Sequence, residues 1–535
     1  MCSAIAFRLN GRNVRVEDVS PNTTLLEYLR ATGLTGAKEG CAEGDCGACS
    51  VAILDRDSQG RPCYRAINSC LVPLVLMVGR EIVSVEGVAS HGKLHPIQEK
   101  MVRGHGSQCG YCTPGFVMSL FEGYYRDDVR KPDQLDDQLC GNLCRCTGYR
   151  PIRDAAIAAF PERHRKNGQD SFTEQLKQST VELGGVEYQF AGERFLRPTS
   201  LGGLLQLLEQ FPEGRLIAGA TDLGLEITKR FKRFPTLISV EAVPELKQIE
   251  CTDAEWRIGA AVTLTQIEEQ MAEEFPALAD MLRVFGSRQV RNRATMGGNL
   301  VTASPIGDSA PVLLAFDANV VLVSQKDGTD GTDATNDGLE ERTFPIDEFF
   351  VSYRKSALRP GEILKTIIVP RCSQQDITRK CAWYKVSKRR EMDISTVAAC
   401  FRVDLGLDGM VRHSRLAYGG VAAIPMRARK TEQALLGKQW CAETVRKVLP
   451  MLQGEFTPIT DVRGSAEYRR ALITGLFEKF FFEVGDVALE HASLSVLGRA
   501  ALCEPASLQA SSSGLNGAQE TARPALGADT GSASK

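Results

Sequence analysis

Gly40-Cys41-Ala42-Glu43-Gly44-Asp45-Cys46-Gly47-Ala48-Cys49 sets three cysteines at C-x4-C-x2-C, a spacing by which one loop ligates a 2Fe-2S cluster. Its glycines let the backbone fold tightly around an anionic centre, so that N–H groups point at the sulfurs. Electron transfer is therefore the first expectation. A fourth thiolate is needed, and Cys63 and Cys70 both lie downstream. Cys70 is the choice, because it sits in Ile67-Asn68-Ser69-Cys70-Leu71 just before the apolar run Val72 to Val78, where the end of an element presents a side chain to the loop opposite. Cys63 reads as an ordinary thiol.

A second tetrad follows. Cys109-Gly110-Tyr111-Cys112 is succeeded about thirty residues later by Cys144-Arg145-Cys146. The alternative is a four-thiolate zinc site, but a Cys-x-Cys pair makes a poor zinc knuckle, and the place directly after the first loop favours iron and sulfur. Thr113 reads as an N-cap and Pro114 as the first helical residue. Phe116, Val117, Leu120, Phe121 and Tyr124 are spaced for one buried helical face. Cys109 and Cys112 then sit at a helix N-terminus, whose partial positive charge favours thiolates. Cys140, before Gly141 and Asn142, reads as an ordinary thiol, as do the scattered Cys2, Cys251, Cys372, Cys381, Cys400, Cys441 and Cys503.

At 535 residues the chain has room for three or four domains. A net charge of -2 and a pI near 6.4 point to neither nucleic acid nor an anionic membrane. Met1 to Asn10 has no apolar signal core, and no run approaches the roughly 18 apolar residues of a membrane span. Cytoplasmic residence with reduced thiols is the expectation.

Residues from about 161 to 190, polar and punctuated, read as a linker. Leucines at helical spacing follow in Pro198 to Gln210. Arg215 to Leu223 then reads as a short buried strand running into a small-residue turn. Such a turn brings N–H groups against a pyrophosphate, although Gly-Ala turns also close strands for purely structural reasons. A second glycine loop is Ala294-Thr295-Met296-Gly297-Gly298-Asn299-Leu300, with Ser304 to Asp308 shortly after. Thr295 and Asn299 supply hydrogen-bonding groups, and Asp308 is able to accept from a ribitol or ribose hydroxyl. No G-x-G-x-x-G opens a βαβ unit, which disfavours a Rossmann fold. Ser324 to Arg342 superficially resembles a calcium loop without the Gly and Glu placement of an EF-hand, and reads as a polar hairpin insertion. Strands around Ala398 to Val403 and Arg415 to Val421, with helices over Lys430 to Leu436 and Ala466 to Val484, make a final α+β unit. A disordered Ser/Ala/Gly tail follows.

The motifs CAEGDCGAC (41–49), CGYCTPG (109–115) and GNLCRCTGY (141–149), with the two loops above, resemble the molybdenum hydroxylases of the xanthine dehydrogenase and aldehyde oxidase family. The resemblance implies an α+β multidomain chain. A plant-type β-grasp 2Fe-2S ferredoxin domain spans 1–88, a helical 2Fe-2S domain 89–162, a linker 163–188, a vanillyl-alcohol-oxidase-type FAD-binding domain 189–372, a C-terminal α+β domain 378–495 and the tail 500–535. It implies cluster ligands Cys41, Cys46, Cys49 and Cys70, then Cys109, Cys112, Cys144 and Cys146. Leu216, Ile217, Ala218, Gly219, Ala220, Thr221, Asp222 and Leu223 match the family's pyrophosphate loop. Thr295, Met296, Gly297, Gly298 and Asn299 match its second glycine loop, and Phe285, Asp308, Leu364 and Lys385 match further flavin contacts. The charged stretch Ser387 to Asp393 matches a loop near the flavin that influences NAD+ access, its alternative being a solvated loop.

The resemblance stops where a single-chain member continues into its molybdenum domains. It thus implies the small iron-sulfur and FAD subunit of xanthine dehydrogenase, in a dimer of heterodimers. A separate molybdopterin-bearing large subunit carries the catalytic residues, so none is expected here. Electrons would pass from the partner's molybdenum to the Cys109 cluster, the Cys41 cluster, FAD and NAD+, as hypoxanthine and xanthine become urate. The alternatives are another molybdenum hydroxylase acting on aldehydes or N-heterocycles, a flavin reductase working alone, and, weakest, a non-catalytic scaffold.

Overall fold

Ile5, Phe7 and Leu9 are buried and Ala6 and Arg8 exposed along the first strand, Ile5–Leu9, the period-2 alternation of a sheet with one face on a core. Asn10 and Gly11 take φ of 52° and 77°, the pair of positive values that a two-residue hairpin turn requires. The chain returns as Arg12–Val16. In this computed structural model the sheet has five strands in the order Arg12–Val16, Ile5–Leu9, Glu81–Val83, Ser50–Arg56 and Pro62–Asn68. The helix Leu25–Ala31, held at its start by a Thr24/Glu27 capping box, buries Leu25, Leu26 and Leu29. The structure describes residues 4–89, 92–162, 170–178, 182–326, 338–371 and 376–484, which belong to one compact unit. Cys2, Cys372, Cys503 and the expected tail lie outside the described residues.

Four helices follow, Pro96–Arg103, Thr113–Tyr124, Pro132–Leu139 and Arg150–Ala159. The second departs from expectation twice. Cys112 occupies the N-cap and Thr113 is already helical. The Thr113 hydroxyl donates to Ser107 Oγ at 2.7 Å instead of capping. The helix also has no solvent face, because every residue from Gly115 to Tyr124 is buried. It is wedged among neighbouring helices, the strands Ser50–Arg56 and Pro62–Asn68 and the segment around Arg288, so burial overrides the one-sided pattern.

The expected linker is partly structured. Ser171–Gln178 is a helix. Phe172 meets the rings of Tyr64 and Phe121 edge-on at 6.0 and 4.9 Å, and Tyr64 Oη donates to the Phe172 carbonyl at 3.2 Å. One apolar side chain in a polar run finds a preformed aromatic cluster, a signal that periodicity does not carry. Residues 163–169 and 179–181 of that stretch are outside the described set.

The next domain has a four-stranded sheet in the order Val186–Phe190, Glu193–Arg197, Thr236–Ser239 and Arg215–Ile217. It also has a five-stranded antiparallel sheet in the order Ile249–Cys251, Glu255–Gly259, Ile363–Pro370, Asn319–Gln325 and Leu339–Pro345. Asn319–Gln325 and Leu339–Pro345 pair antiparallel up to Gln325 opposite Leu339. The Ser324 to Arg342 region is thus carried by a hairpin, and 327–337, the calcium-like run, lies outside the described residues. The last domain sets the antiparallel strands Ile377–Val386, Val397–Gly406, Val411–Gly419 and Met426–Arg427 against helices Arg429–Leu435, Ala442–Gly454 and Ala466–Val484. The long first strand and the helix Ala442–Gly454 add to the elements expected there. Among the described residues, no helix is long and apolar enough to cross a membrane.

Candidate redox sites

Cys41, Cys46 and Cys49 lie on the loop entering the strand Ser50–Arg56. The loop winds tightly: Ala42, Gly44 and Gly47 all take positive φ. The N–H groups of Glu43, Asp45 and Cys46 donate to Cys41 Sγ at 3.5, 3.3 and 3.3 Å. A hydrogen bond from the Cys46 thiol, reinforced by these N–H groups against the effect of burial, brings the Cys41 thiol down to about 5. Cys41 is thus built to be a thiolate. Cys49 and Cys70, both 2% exposed, stand Sγ to Sγ at 3.3 Å. Asn68 Nδ2 donates to Cys49 Sγ at 3.9 Å. Cys63 is elsewhere, on Pro62–Asn68 opposite Asp55, and burial pushes its thiol up to about 12.

In the second tetrad Cys109 lies beside Cys146 and Cys112 beside Cys144, near enough for each to shift the other's thiol. Cys109 and Cys146 are exposed and Cys144 is buried. The Cys109 thiol is lowered, first by the Tyr111 N–H and then by Cys146. The Cys144 thiol is lowered despite burial, with Thr147 Oγ1 at 3.0 Å. Cys140 stands apart, a half-buried thiol that desolvation pushes up to about 12.

Both tetrads therefore resolve into two pairs. A binuclear cluster needs two thiolates on each iron, whereas a mononuclear zinc needs all four around one point. Among the described residues no group of three or more His, Cys, Asp or Glu is gathered around one point. Two sulfurs bonded at about 2.3 Å to one tetrahedral metal stand about 3.8 Å apart, close to the Cys49–Cys70 pair. The donor set fits 2Fe-2S clusters.

The two tetrads are in direct contact. Leu143 N–H, one residue before Cys144, donates to the Cys46 carbonyl at 3.0 Å. Asn142 Nδ2 donates to the Gly47 carbonyl at 3.2 Å. Gly115 lies so near that a Cβ there would fall 2.1 Å from Gly47 O. The other side of the Cys41 loop rests on the helix Leu223–Thr228. A Cβ on Gly224 would fall 2.4 Å from the carbonyl of Leu71, the neighbour of Cys70. Thr228 Oγ1 donates to the Ala42 carbonyl at 2.8 Å.

That helix starts where the first candidate flavin loop ends. Among the described residues, no protein group accepts a hydrogen bond from the N–H groups of Gly219, Ala220, Thr221, Asp222 and Leu223, although Gly219, Ala220 and Leu223 are buried. Successive donors without acceptors, three of them on buried residues, form an anion-binding concavity, which fits a dinucleotide pyrophosphate. Gly219 itself is required by the protein: a Cβ there would fall 1.7 Å from Arg293 O. This contact also joins the two loops, since Arg293 is two residues before Thr295. Thr295 caps Met296–Val301 by accepting from Gly298 N–H at 3.1 Å. Gly297 packs on Ala260, where a Cβ would meet backbone at 2.6 Å, so its close approach is to the chain and not to a ligand. Gly298 and Asn299 are half-buried and reachable.

Three further candidates come together. Lys385 Nζ bonds Asp308 Oδ2 at 2.8 Å and the carbonyl of Val284, beside Phe285, at 3.2 Å. Ser395 Oγ donates to the other Asp308 oxygen at 2.5 Å. The Asp308 carboxylate is thus held by the chain itself rather than standing open for a hydroxyl. Leu364 is 4% exposed and packed in the core opposite Leu322. In the charged stretch, Arg389 N–H donates to Asp393 and Lys388 Nζ to the Val462 carbonyl, while Arg390 is 82% exposed.

Sequence reading missed Glu122. This fully buried carboxylate accepts from Ala66 N–H of the first sheet at 3.0 Å, from Arg288 Nε at 3.1 Å and Asn292 Nδ2 at 3.1 Å beside the second glycine loop, and from Gln138 Nε2 at 3.2 Å. An acid inside the apolar run Phe116 to Tyr124 is the signal that marks it.

Comparison with known proteins matches four domain families in order. Residues 7–75 match a 2Fe-2S iron-sulfur cluster binding domain and 84–157 a [2Fe-2S] binding domain. Residues 188–372 match the FAD binding domain in molybdopterin dehydrogenase, and 382–484 the CO dehydrogenase flavoprotein C-terminal domain. The chain is 34% identical to a xanthine dehydrogenase of Emericella nidulans, over 90% of this chain and 38% of that protein. It is 31% identical to a xanthine dehydrogenase/oxidase of Gallus gallus, over 94% of this chain and 41% of that one. A solved carbon monoxide dehydrogenase from Hydrogenophaga pseudoflava is similar at 27% identity over 53% of this chain and 94% of that one, with a TM-score of 0.47. The chain thus spans about two fifths of the length of the curated relatives it matches. The matched domains are, in order, two 2Fe-2S binding domains, an FAD binding domain and a flavoprotein C-terminal domain, and together they are similar to part of the xanthine dehydrogenases.

Proposed function

We propose that the chain serves a xanthine dehydrogenase, oxidising hypoxanthine and xanthine to urate, as its electron-transfer subunit, with molybdopterin on a partner subunit and NAD+ as acceptor. When bound, the clusters relay single electrons and FAD exchanges one or two, joining the partner's molybdenum, through the Cys109 and then the Cys41 tetrad, to NAD+. The observation that carries the reading is the position of the Cys41 loop, bonded to Leu143 on one side and packed against Gly224 and Thr228 on the other. Cys41, Cys46, Cys49 and Cys70 hold the inner cluster, Cys49 and Cys70 from the buried side and Cys41 and Cys46 from a half-buried loop. Cys109 and Cys146 bring the outer one to the surface. Leu216 to Leu223 and Thr295 to Asn299 receive the flavin, with Phe285, Asp308, Leu364 and Lys385 shaping its surroundings, and the Ser387 to Asp393 loop governs NAD+ access.

A docking face for the partner is supported by exposed apolar side chains beside the outer tetrad. Tyr111, Leu143 and Tyr149 are 48, 43 and 42% exposed. A reductase working alone has no use for apolar groups around an exposed thiolate pair. Purification from native cells, with iron, flavin and molybdenum analysis and an assay of xanthine-dependent NAD+ reduction, tests the proposal. Four irons and one FAD per chain, a molybdenum-containing partner and NADH formed from xanthine are expected. The same cofactors without partner or xanthine activity would move the chain to a reductase, and activity with aldehydes instead would move it to another hydroxylase.

A further inference from the structure

Behind the two flavin loops runs a buried chain of ion pairs that electron transfer does not use. Arg80, beside the ferredoxin strand Glu81–Val83, has a side chain 1% exposed. Its Nη2 donates to Glu241 Oε1 at 2.9 Å. Arg293 Nη1 reaches the same oxygen at 2.7 Å, and Arg293 is 3% exposed. Asp55 Oδ2 lies 3.4 Å from Arg80 Nη1. Burial alone would raise the Glu241 carboxyl, but Arg293 and Arg80 outweigh it and hold it below the usual range.

Arg293 is the residue whose carbonyl abuts Gly219 and whose neighbour Ala294 accepts from Leu264 N–H at 2.8 Å. Thr295, the cap of the second loop, comes next. The backbone at 293–295 therefore supports both loops, and the Arg293 side chain anchors that backbone to a single carboxylate. The same carboxylate anchors Arg80 of the ferredoxin domain. Beside it lies a cavity of about 20 Å³ lined by Ala218, Gly219 and Thr295 among others, room for about one water. Arg293 Nε and Nη2, Arg80 Nη1 and Glu241 Oε2 are buried without hydrogen-bond partners in the protein. Arg293 thus pairs through one carboxylate oxygen, which it shares with Arg80, while Arg80 also has Asp55. Neutralising that carboxylate leaves Arg293 buried without its ion-pair partner and Arg80 with Asp55 alone, a state that movement of the Arg293 side chain relieves.

We propose that Glu241 is a positioning residue for the flavin: through Arg293 it sets the Gly219 turn and the Thr295 cap in the arrangement that receives the dinucleotide, and through Arg80 it makes that arrangement depend on the docked ferredoxin domain. The inference rests on the flavin reading and deepens it. An iron-sulfur domain docked this way raises flavin affinity through Arg80 and Glu241.

The test is FAD titration of the full chain after removal of flavin, followed by flavin fluorescence, with the cluster signals of the reduced protein recorded in parallel. Glu241→Gln is expected to weaken FAD binding at least tenfold with both cluster signals intact, and Glu241→Asp, which keeps the charge, to recover most of it. Arg80→Met, in another domain from the flavin loops, is expected to weaken FAD binding at least threefold, and it decides the matter if Glu241→Gln does not fold. Unchanged affinity in Glu241→Gln or, failing that variant, in Arg80→Met overturns the proposal. So does loss of the cluster signals together with flavin, which marks a role in general stability. Failure of the unsubstituted chain to bind FAD would instead remove the flavin reading itself.

Discussion

At the scale of single residues, the thiols divide by environment. Cys70 faces Cys49 at 3.3 Å, whereas Cys63 is raised to about 12 by burial and faces Asp55 across the sheet. Cys70→Ser is expected to abolish one of the two cluster signals in electron paramagnetic resonance of the reduced protein, and Cys63→Ser to leave both. The reverse result would exchange their roles. The tetrads themselves were legible because a ligating loop is local: C-x4-C-x2-C, Cys-x2-Cys and Cys-x-Cys need only a few residues of backbone to be recognised. Selection of the distant fourth ligand depended on the strand Pro62–Asn68 ending where it does.

At the scale of elements, the helix Thr113–Tyr124 is the tightest fit. Gly115→Ala would place a Cβ 2.1 Å from Gly47 O and 3.1 Å from Ala48 Cα, backbone atoms that cannot swing aside. It is expected to lower stability by at least about 2 kcal/mol, read from urea unfolding, and to alter the magnetic coupling between the reduced clusters. Gly202, in Leu201–Gln210, has open space around it. Gly202→Ala is therefore expected to stabilise by about 0.5 kcal/mol in the same experiment. Equal effects of the two substitutions would contradict the packing account. The helix's apolar residues were readable from their spacing, but its burial on all sides was not, because periodicity reports only the face that a helix turns to one neighbour.

At the scale of the whole molecule, charge clusters join the domains. Glu122 binds groups from three domains at once. Asp317, at the junction of the flavin and C-terminal domains, meets Arg415 Nε at 2.5 Å, Arg427 Nη1 at 3.3 Å, His413 Nε2 at 3.4 Å and Arg402 Nη1 at 3.5 Å. Burial opposes its ionisation, but hydrogen bonds from His413 and Arg415 outweigh this and hold its carboxyl at about 2. The ordinary value is about 3.9, so the stabilisation is fully present above that pH and disappears as pH falls through about 2. Asp317→Asn is expected to cost on the order of 1–2 kcal/mol at pH 7 after allowance for solvent screening. The gap from the unsubstituted chain should shrink between about pH 4 and 2. A gap independent of pH in that range would show that the ion cluster is not its source.

The cysteine pattern and the glycine loops determined the cofactor classes and the order of domains along the chain, because each such motif is built from neighbours in sequence and carries its own backbone chemistry. Tertiary structure decided which loop glycines face the protein, that the Cys41 loop stands between the Cys109 tetrad and the candidate flavin loops, and that Glu122 and Glu241 tie the domains together. These depend on contacts between residues tens to hundreds of positions apart, such as Arg80 with Glu241 or Gly219 with Arg293. Packing of complete domains creates such contacts, and no local spacing encodes them.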